Sequence, residues 1–223
     1  MSGHFLNFEG PDGVGKSSQA NLLYTRLKEE GYDVILTKEP GSPLDTSGLG
    51  AEIRKLLFHT VTTHNMARGV ADCLLLADHI QHVEKVVKPA LAECKFVISD
   101  RFSDSQFAYG PSKNSPGFMM EAYRAAFGPI PDITLLLITD DVSVILERAR
   151  ARRGETHQAG KSWNDELQQK NIQQEYLTNL VGQDRTTVIK VEVDKDANYI
   201  FNNLVWPVVK FHLENERILI GAI

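Results

Sequence analysis

Eight residues near the start of the chain, Gly10-Pro11-Asp12-Gly13-Val14-Gly15-Lys16-Ser17, spell G-x-x-x-x-G-K-[ST]. They follow a short apolar run, Phe5-Leu6-Asn7-Phe8, and precede a helical pattern beginning near Lys16. Strand, glycine loop and helix in that order are the context in which this pattern binds a nucleoside triphosphate. Glycines let the backbone turn so that several N–H groups point at phosphate oxygens. The helix N-terminus adds its dipole at the same place. In that role Lys16 reaches the β/γ-phosphates and the Ser17 hydroxyl sits on Mg²⁺. The bland reading is a glycine-rich turn.

Asp100 ends an apolar strand, Phe96-Val97-Ile98-Ser99-Asp100, where a Mg²⁺-associated acid belongs in such enzymes; otherwise it is a helix cap or a solvated acid. Arg101 follows it, placed to clamp a phosphate through its planar fork. Arg148, Arg150, Arg152 and Arg153 form the one strongly basic run. The run is either a solvated helix end or a source of charge for a transferring phosphoryl group. The glycine loop has no arginine of its own, so Arg148, Arg152 and Arg153 are the candidates for that task. Asp12 lies within the loop and can face a second substrate. Glu9, just before it, reads as structural. His4, His59, His64, His82, His157 and His212 show no metal-ligand spacing.

The elements that must position these residues follow from the hydrophobic pattern. Short apolar strands are expected at Phe5–Phe8, Val34–Leu36, Phe96–Asp100, Ile133–Ile138 and Val188–Val193. Between them lie amphipathic helices: 17–30, with Ala20, Leu23 and Leu27 inward and Gly31 as its cap, then 51–58, with Ile53, Leu56 and Leu57 inward. A long helix spans about 67–92, buried over Val70–Ala77, with Ile80, Val83, Val87 and Leu91 aligned and Pro89 kinking it or opening a new turn. Shorter helices are read at 103–109 and 119–127, then longer ones after Asp141, at 164–181 and at 197–215, the last bent at Pro207. Strands alternating with helices predict an α/β fold: a five-stranded parallel sheet with helices on both faces, and a small lid at about 150–163. The whole chain, 1–223, reads as a single domain. In such a sheet ligands bind beyond the carboxyl ends of the strands.

Composition bounds the function. Hydrophobic content of 42% and charged content of 24% are those of an ordinary soluble globular domain. A net charge of −5 argues against a nucleic-acid or anionic-membrane surface, so anionic substrates need local basic residues. Cys73 and Cys94 have no metal or redox spacing and read as reduced core residues. No leader pattern opens the chain and no apolar run nears about 18 residues, so a cytoplasmic protein is expected. A guanine-reading GTPase needs an Asn-Lys-x-Asp motif; Asp194-Lys195-Asp196 lacks the asparagine and the spacing. A protein that only binds nucleotide would be expected to have lost Lys16, Asp100 or the lid arginines, and all are present.

Read together, these pieces resemble the thymidylate kinases of the bacterial type over most of the length. The resemblance runs from Phe8 to Gln19, through Lys38-Glu39-Pro40-Gly41 and Glu52-Ile53-Arg54, to Ala77-Asp78-His79-Ile80-Gln81-His82-Val83 and Lys88-Pro89-Ala90-Leu91. Ser99-Asp100-Arg101-Phe102-Ser103-Asp104-Ser105-Gln106-Phe107-Ala108-Tyr109 is its most specific part, and Pro131-Asp132-Ile133-Thr134 and the arginine-rich lid complete it. It implies a P-loop nucleoside monophosphate kinase, homodimeric and Mg²⁺-dependent, that moves the γ-phosphoryl of ATP onto dTMP. Arg54 and Arg101 would hold the acceptor phosphate, Asp12 would sit near the acceptor's ribose and phosphate, and Tyr109 would close on the sugar. Lys38, Pro40, Leu75, His79, Ser105 and Gln106 would complete the acceptor pocket, and Ser17 and Asp100 would serve the metal.

Three pocket positions depart from that family. Leu75 stands where a stacking aromatic ring is usual, His79 where an arginine reads the base, and Gln106 where Asn or Ser reads the base edge. Two outcomes remain open on these residues: ordinary use of dTMP, or a pocket shifted toward dUMP or a 5-substituted dUMP.

Overall fold

The computed structural model describes residues 3–57, 66–109, 121–122, 125–126, 128–153 and 166–221. Its strands are β1 (His4–Glu9), β2 (Val34–Lys38), β3 (Phe96–Asp100), β4 (Ile133–Ile138) and β5 (Thr186–Lys190). All pair in parallel, in the order β2-β3-β1-β4-β5. The connections are helical: α1 (Lys16–Glu29), α2 (Leu49–Lys55), α3 (Arg68–His82), α4 (Lys88–Ala92), α5 (Ser103–Tyr109), α6 (Val142–Arg153) and α7 (Glu166–Leu180). After β5 come α8 (Ala197–Ile200) and α9 (Trp206–Gly221). The expected five-stranded parallel α/β fold is the fold observed.

Side chains alternate across a strand, and this sorts the core into two faces. Leu6, Phe8 and Ile98 pack with Ala20, Leu23 and Leu27 of α1, with Ile145 of α6 and with Val205 and Val209 near the C-terminus. On the opposite face Phe5 and Val97 meet Phe102, Val83 and Val87, while Leu136 meets Ile172, Tyr176 and Leu180 of α7. The same alternation places Asn7 and Glu9 on the face of Phe5, toward α5 and α7. Polar residues in a central strand need partners there.

Two prolines shape the long helices. Lys88 N–H bonds back five residues to Val83 O, and Trp206 N–H to Phe201 O. Each is a π turn ending one residue before a proline, Pro89 or Pro207. Proline has no N–H to donate and crowds the carbonyl four residues back; the wider turn accommodates both effects without ending the helix.

Four expectations need correction. Val70–Ala77 is not deeply buried: Val70 is 50% exposed, and Ile80, expected inward, is 45% exposed. The face of α3 that turns inward instead carries Asp72, Asp78, His79 and His82, all buried. Leu56 is also exposed. Hydrophobic density within one helix states how much apolar surface exists, not which neighbour covers it. The last strand spans Thr186–Lys190 rather than Val188–Val193, because its paired residues run from Thr186 opposite Thr134 to Lys190 opposite Ile138 at the sheet edge. Cys73 and Cys94 are exposed, not core. The expected helix at 119–127 and the lid at 150–163 fall largely outside the described residues.

Parallel pairing sets Phe8 opposite Asp100 and Lys38 opposite Asp100 on its other side. The carboxyl ends of β1, β2 and β3 therefore meet at one rim. The glycine loop leaves that rim and passes under α6. A methyl group added at Gly13, where φ is +87°, would lie 1.9 Å from the Ile145 carbonyl oxygen. Gly13→Ala is expected to cost on the order of 3 kcal/mol of stability or more, since neither backbone can yield. A urea midpoint unchanged from the parent would refute this contact.

Candidate active site

The glycine loop closes around its own lysine. Lys16 Nζ donates to Gly10 O at 2.9 Å and Pro11 O at 2.7 Å, and the side chain is buried. Burial, with the charge of Arg101, pushes its pKa down to about 7, against the pull of Asp12, Asp100 and Glu9. Gly10, Gly13 and Gly15 all have positive φ. Helix α1 starts on Gly15 with no side-chain cap, as a helix start used to seat an anion requires. Pro11, Gly13 and Val14 are buried in the loop.

Ser17 Oγ donates to Asp100 Oδ2 at 2.5 Å. A hydroxyl and a carboxylate side by side are hard oxygen donors of the kind Mg²⁺ takes. The pair exists because Asp100, at the end of β3, shares the sheet face of Ile98, on which α1 packs.

Arg101 is the most heavily engaged side chain of the rim. Its φ of 77° is left-handed, which is costly for a residue with a side chain, and its N–H bonds to Phe8 O at 3.0 Å. That turn aims the guanidinium back over the loop. Nη2 donates to Asp12 Oδ1 at 2.6 Å and Tyr109 OH at 3.0 Å. Nη1 donates to Gly10 O at 3.1 Å, Ser105 Oγ at 3.1 Å and Tyr176 OH at 2.8 Å. The guanidinium carbon stands 4.7 Å from the centre of the Tyr109 ring, a cation–π contact. Glu9 lies behind this group. Burial first, and then the charge of Asp104, raise its pKa to about 7, against the lowering effect of Arg101 and of hydrogen bonds from Ser105 and Asn7.

Arg54 comes from α2 to the same crevice. Its Nη1 donates to Pro40 O at 2.8 Å, and its charge is felt together with those of Asp78, Asp100, Arg101 and Asp12. Lys38 is half-buried at the end of β2. Leu75 is half-buried, while Gln106 is buried with Oε1 unpartnered. His79 is buried and its Nδ1 lies 2.9 Å from Glu39 Oε1; His82 Nδ1 lies 2.7 Å from the same oxygen. His82 Nε2 continues to Thr37 Oγ1 at 2.7 Å, which lies 2.6 Å from Ser42 Oγ. Thus one nitrogen of His79 is committed to Glu39.

Arg148 Nη2 donates to Val193 O at 2.6 Å, tying α6 to the segment after β5. The side chains of Arg152 and Arg153 lie outside the described residues. Sequence reasoning missed the Glu39–His79–His82 cluster and Tyr176 of α7. The polar pair Asn7 and Glu9 in a central strand was the available signal, since both need partners from the helices covering their face.

A family model described as thymidylate kinase matches residues 8–198. The chain belongs to the thymidylate kinase family. The thymidylate kinase of Ectopseudomonas mendocina is 33% identical over 207 residues, covering 88% of this chain and 95% of the relative. That of Clavibacter sepedonicus is 40% identical over 161 residues, covering 68% and 72%. That of Halothermothrix orenii is 42% identical over 156 residues, covering 67% and 70%. The chain is accordingly a nucleoside monophosphate kinase, a phosphotransferase. Among the described residues no helix is long and apolar enough to cross a membrane.

Glu39 gives a pH test of the rim. Burial alone would raise its carboxyl, but the charges and hydrogen bonds of His79 and His82 outweigh it and hold the pKa at about 2. A carboxyl depressed on folding contributes stability above its unfolded pKa near 4.5, and that stability is lost as pH falls toward about 2. Glu39→Gln should therefore lower stability by on the order of 3 kcal/mol at pH 6, with the difference shrinking on acidification from pH 4.5 to 2.5. Urea unfolding of both proteins across that range measures it; a gap independent of pH would contradict the assignment.

Proposed function

We propose that this chain transfers the γ-phosphoryl of ATP onto dTMP, giving dTDP, with Mg²⁺, as a homodimer in the cytoplasm. The observation that carries the reading is the meeting of Lys16, the Ser17–Asp100 pair and Arg101 at the shared rim of β1 and β3. The loop Gly10–Ser17 seats the triphosphate: its backbone N–H groups and Lys16 take the β- and γ-phosphates. Ser17 and Asp100 hold Mg²⁺, which when bound neutralises phosphate charge. Arg101 and Arg54 hold the acceptor phosphate, and Asp12, bonded to Arg101, stands between the two nucleotides.

The protein's contribution is positioning and charge. With its pKa pushed down to about 7, Lys16 is only partly protonated at neutral pH when no anion is present; a triphosphate beside it favours the full ammonium where phosphate charge must be met. Arg148, Arg152 and Arg153 supply further positive charge from the lid. Tyr109, stacked on Arg101, walls the sugar, and Lys38, Pro40, Ser105, Leu75, His79 and Gln106 line the rest of the acceptor pocket. The relatives named above are thymidylate kinases, and nothing in them favours the alternative of a dUMP-type acceptor.

Lys16→Ala should lower kcat by roughly a hundredfold or more, the loss expected when one charge-stabilising donor is removed, with the thermal midpoint little changed. Arg101→Ala should raise KM for dTMP roughly tenfold or more while KM for ATP moves within about twofold. A coupled ADP-release assay with each nucleotide varied in turn reads both. Full turnover in the lysine variant would refute the loop assignment, and an ATP-selective defect in the arginine variant would refute its acceptor role.

A further inference from the structure

Behind Arg101, three oxygens from three separate elements form a triangle. Ser105 Oγ of α5 lies 2.6 Å from Glu9 Oε2 of β1. Tyr176 OH of α7 lies 2.9 Å from the same oxygen, and 2.7 Å from Ser105 Oγ. Glu9 and Tyr176 are buried completely. The other carboxyl oxygen, Glu9 Oε1, already accepts from Phe102 N at 2.8 Å, Asn7 Nδ2 at 3.1 Å and Ser105 N at 3.3 Å. A proton on this carboxyl therefore belongs on Oε2, inside the triangle.

The protons can be counted. Serine and tyrosine bring one each. With Glu9 ionised, two protons must serve three edges, and on the third edge two oxygens face each other lone pair to lone pair. With Glu9 neutral, a third proton fills that edge, and each oxygen both donates and accepts. Arg101 Nη1 then donates into the ring from outside, to Tyr176 OH and Ser105 Oγ. Helix α7 is tied down nearby by side-chain bonds. Gln173 makes paired bonds with the Thr139 backbone at 3.0 and 2.9 Å, and Arg185, just past the helix, clasps Asp104 of α5 and Thr134 Oγ1.

We propose that Tyr176 is a positioning residue for Arg101: with Ser105 and Glu9 it closes a proton-holding ring that fixes the direction of the guanidinium and links it to α7. The inference rests on the reading of Arg101 as the acceptor-phosphate residue. The charged and titratable groups around Glu9 are Arg101, Asp104, Lys16, Asp12, Tyr109 and Tyr176. Burial, then Asp104, keep the proton on Glu9 up to about pH 7. Above that, the ring gains a repulsive edge, and a negative charge appears behind Arg101. Both weaken its hold on a phosphate, so kcat/KM for dTMP should decline as pH rises through this titration.

Two readouts test it. In ligand-free protein carrying ¹³C-labelled glutamate carboxyls, the signal removed by Glu9→Gln should titrate with a midpoint near 7. Tyr176→Phe should lower that midpoint by roughly one pH unit, because the neutral ring loses two bonds while the ionised ring loses one bond and its repulsion. In steady-state assays the same variant should raise KM for dTMP roughly tenfold at pH 6.5, with KM for ATP within about twofold, and should shift the pH profile of kcat/KM for dTMP to match. Ser105→Ala removes a second vertex, should raise KM for dTMP in the same way with KM for ATP little changed, and serves alone if Tyr176→Phe does not fold. A Glu9 midpoint at about 4 to 5 in the parent, as for a free carboxyl, would overturn the ring. So would an unmoved midpoint in Tyr176→Phe, or equal changes in both KM values. If Arg101→Ala spares dTMP use, the acceptor reading fails while the carboxyl titration still decides the ring.

Discussion

A guanidinium largely withdrawn from water must find most of its partners inside the protein, and Arg101 imposes that condition on the whole rim. Its backbone leaves β3 in a left-handed turn bonded to β1. Its side chain then draws on the glycine loop through Gly10 and Asp12, on α5 through Ser105 and Tyr109, and on α7 through Tyr176. None of these elements can shift without leaving a largely buried charge short of a bond, which costs more than the bond itself is stabilising. The arginine is thus a structural centre as well as the residue proposed to hold the acceptor phosphate.

The charges around it are arranged to be short of an anion. Burial, and after it the charge of Arg101, weaken the protonated state of Lys16, while Arg101 itself is held firmly charged by its acidic and phenolic neighbours. Asp12 and Asp100 offset part of this but are themselves occupied, one by Arg101 and the other by Ser17. In the proposed reading, a phosphate in the crevice would relieve the unfavourable effect of Arg101 on Lys16, so binding energy and charge placement would come from one arrangement.

A second buried cluster steadies the opposite wall. Glu39 receives both His79 and His82, and Asp78 accepts from Gly41 N at 3.0 Å, so α3 is pinned to the turn after β2 by polar bonds on its inward face. The apolar side of α3 is left outward, with Val70 and Ile80 exposed. The helix is oriented by where its ionisable groups find partners, not by where its leucines and valines are densest.

Much of the fold was legible in the sequence because it depends on local chemistry. Glycines spaced around a lysine specify a loop whose backbone must turn; alternating apolar strands and amphipathic helices specify a parallel sheet; Gly31 and Pro89 mark their turns by what their backbones can adopt. The glycine-loop residues, Asp100 and Arg101 belong to this class, since each sits at the end of a recognisable strand. What the chain could not display is pairing across distance. That His79 would turn to Glu39, 40 positions away, or that Tyr176 would meet Glu9 across 167, follows from which helix covers which face of the sheet. A strand's polar residue announces that it needs a partner, but many side chains could answer. Only the packed arrangement decides which one does, because the cost of leaving a buried group unpaired is settled over the whole fold at once.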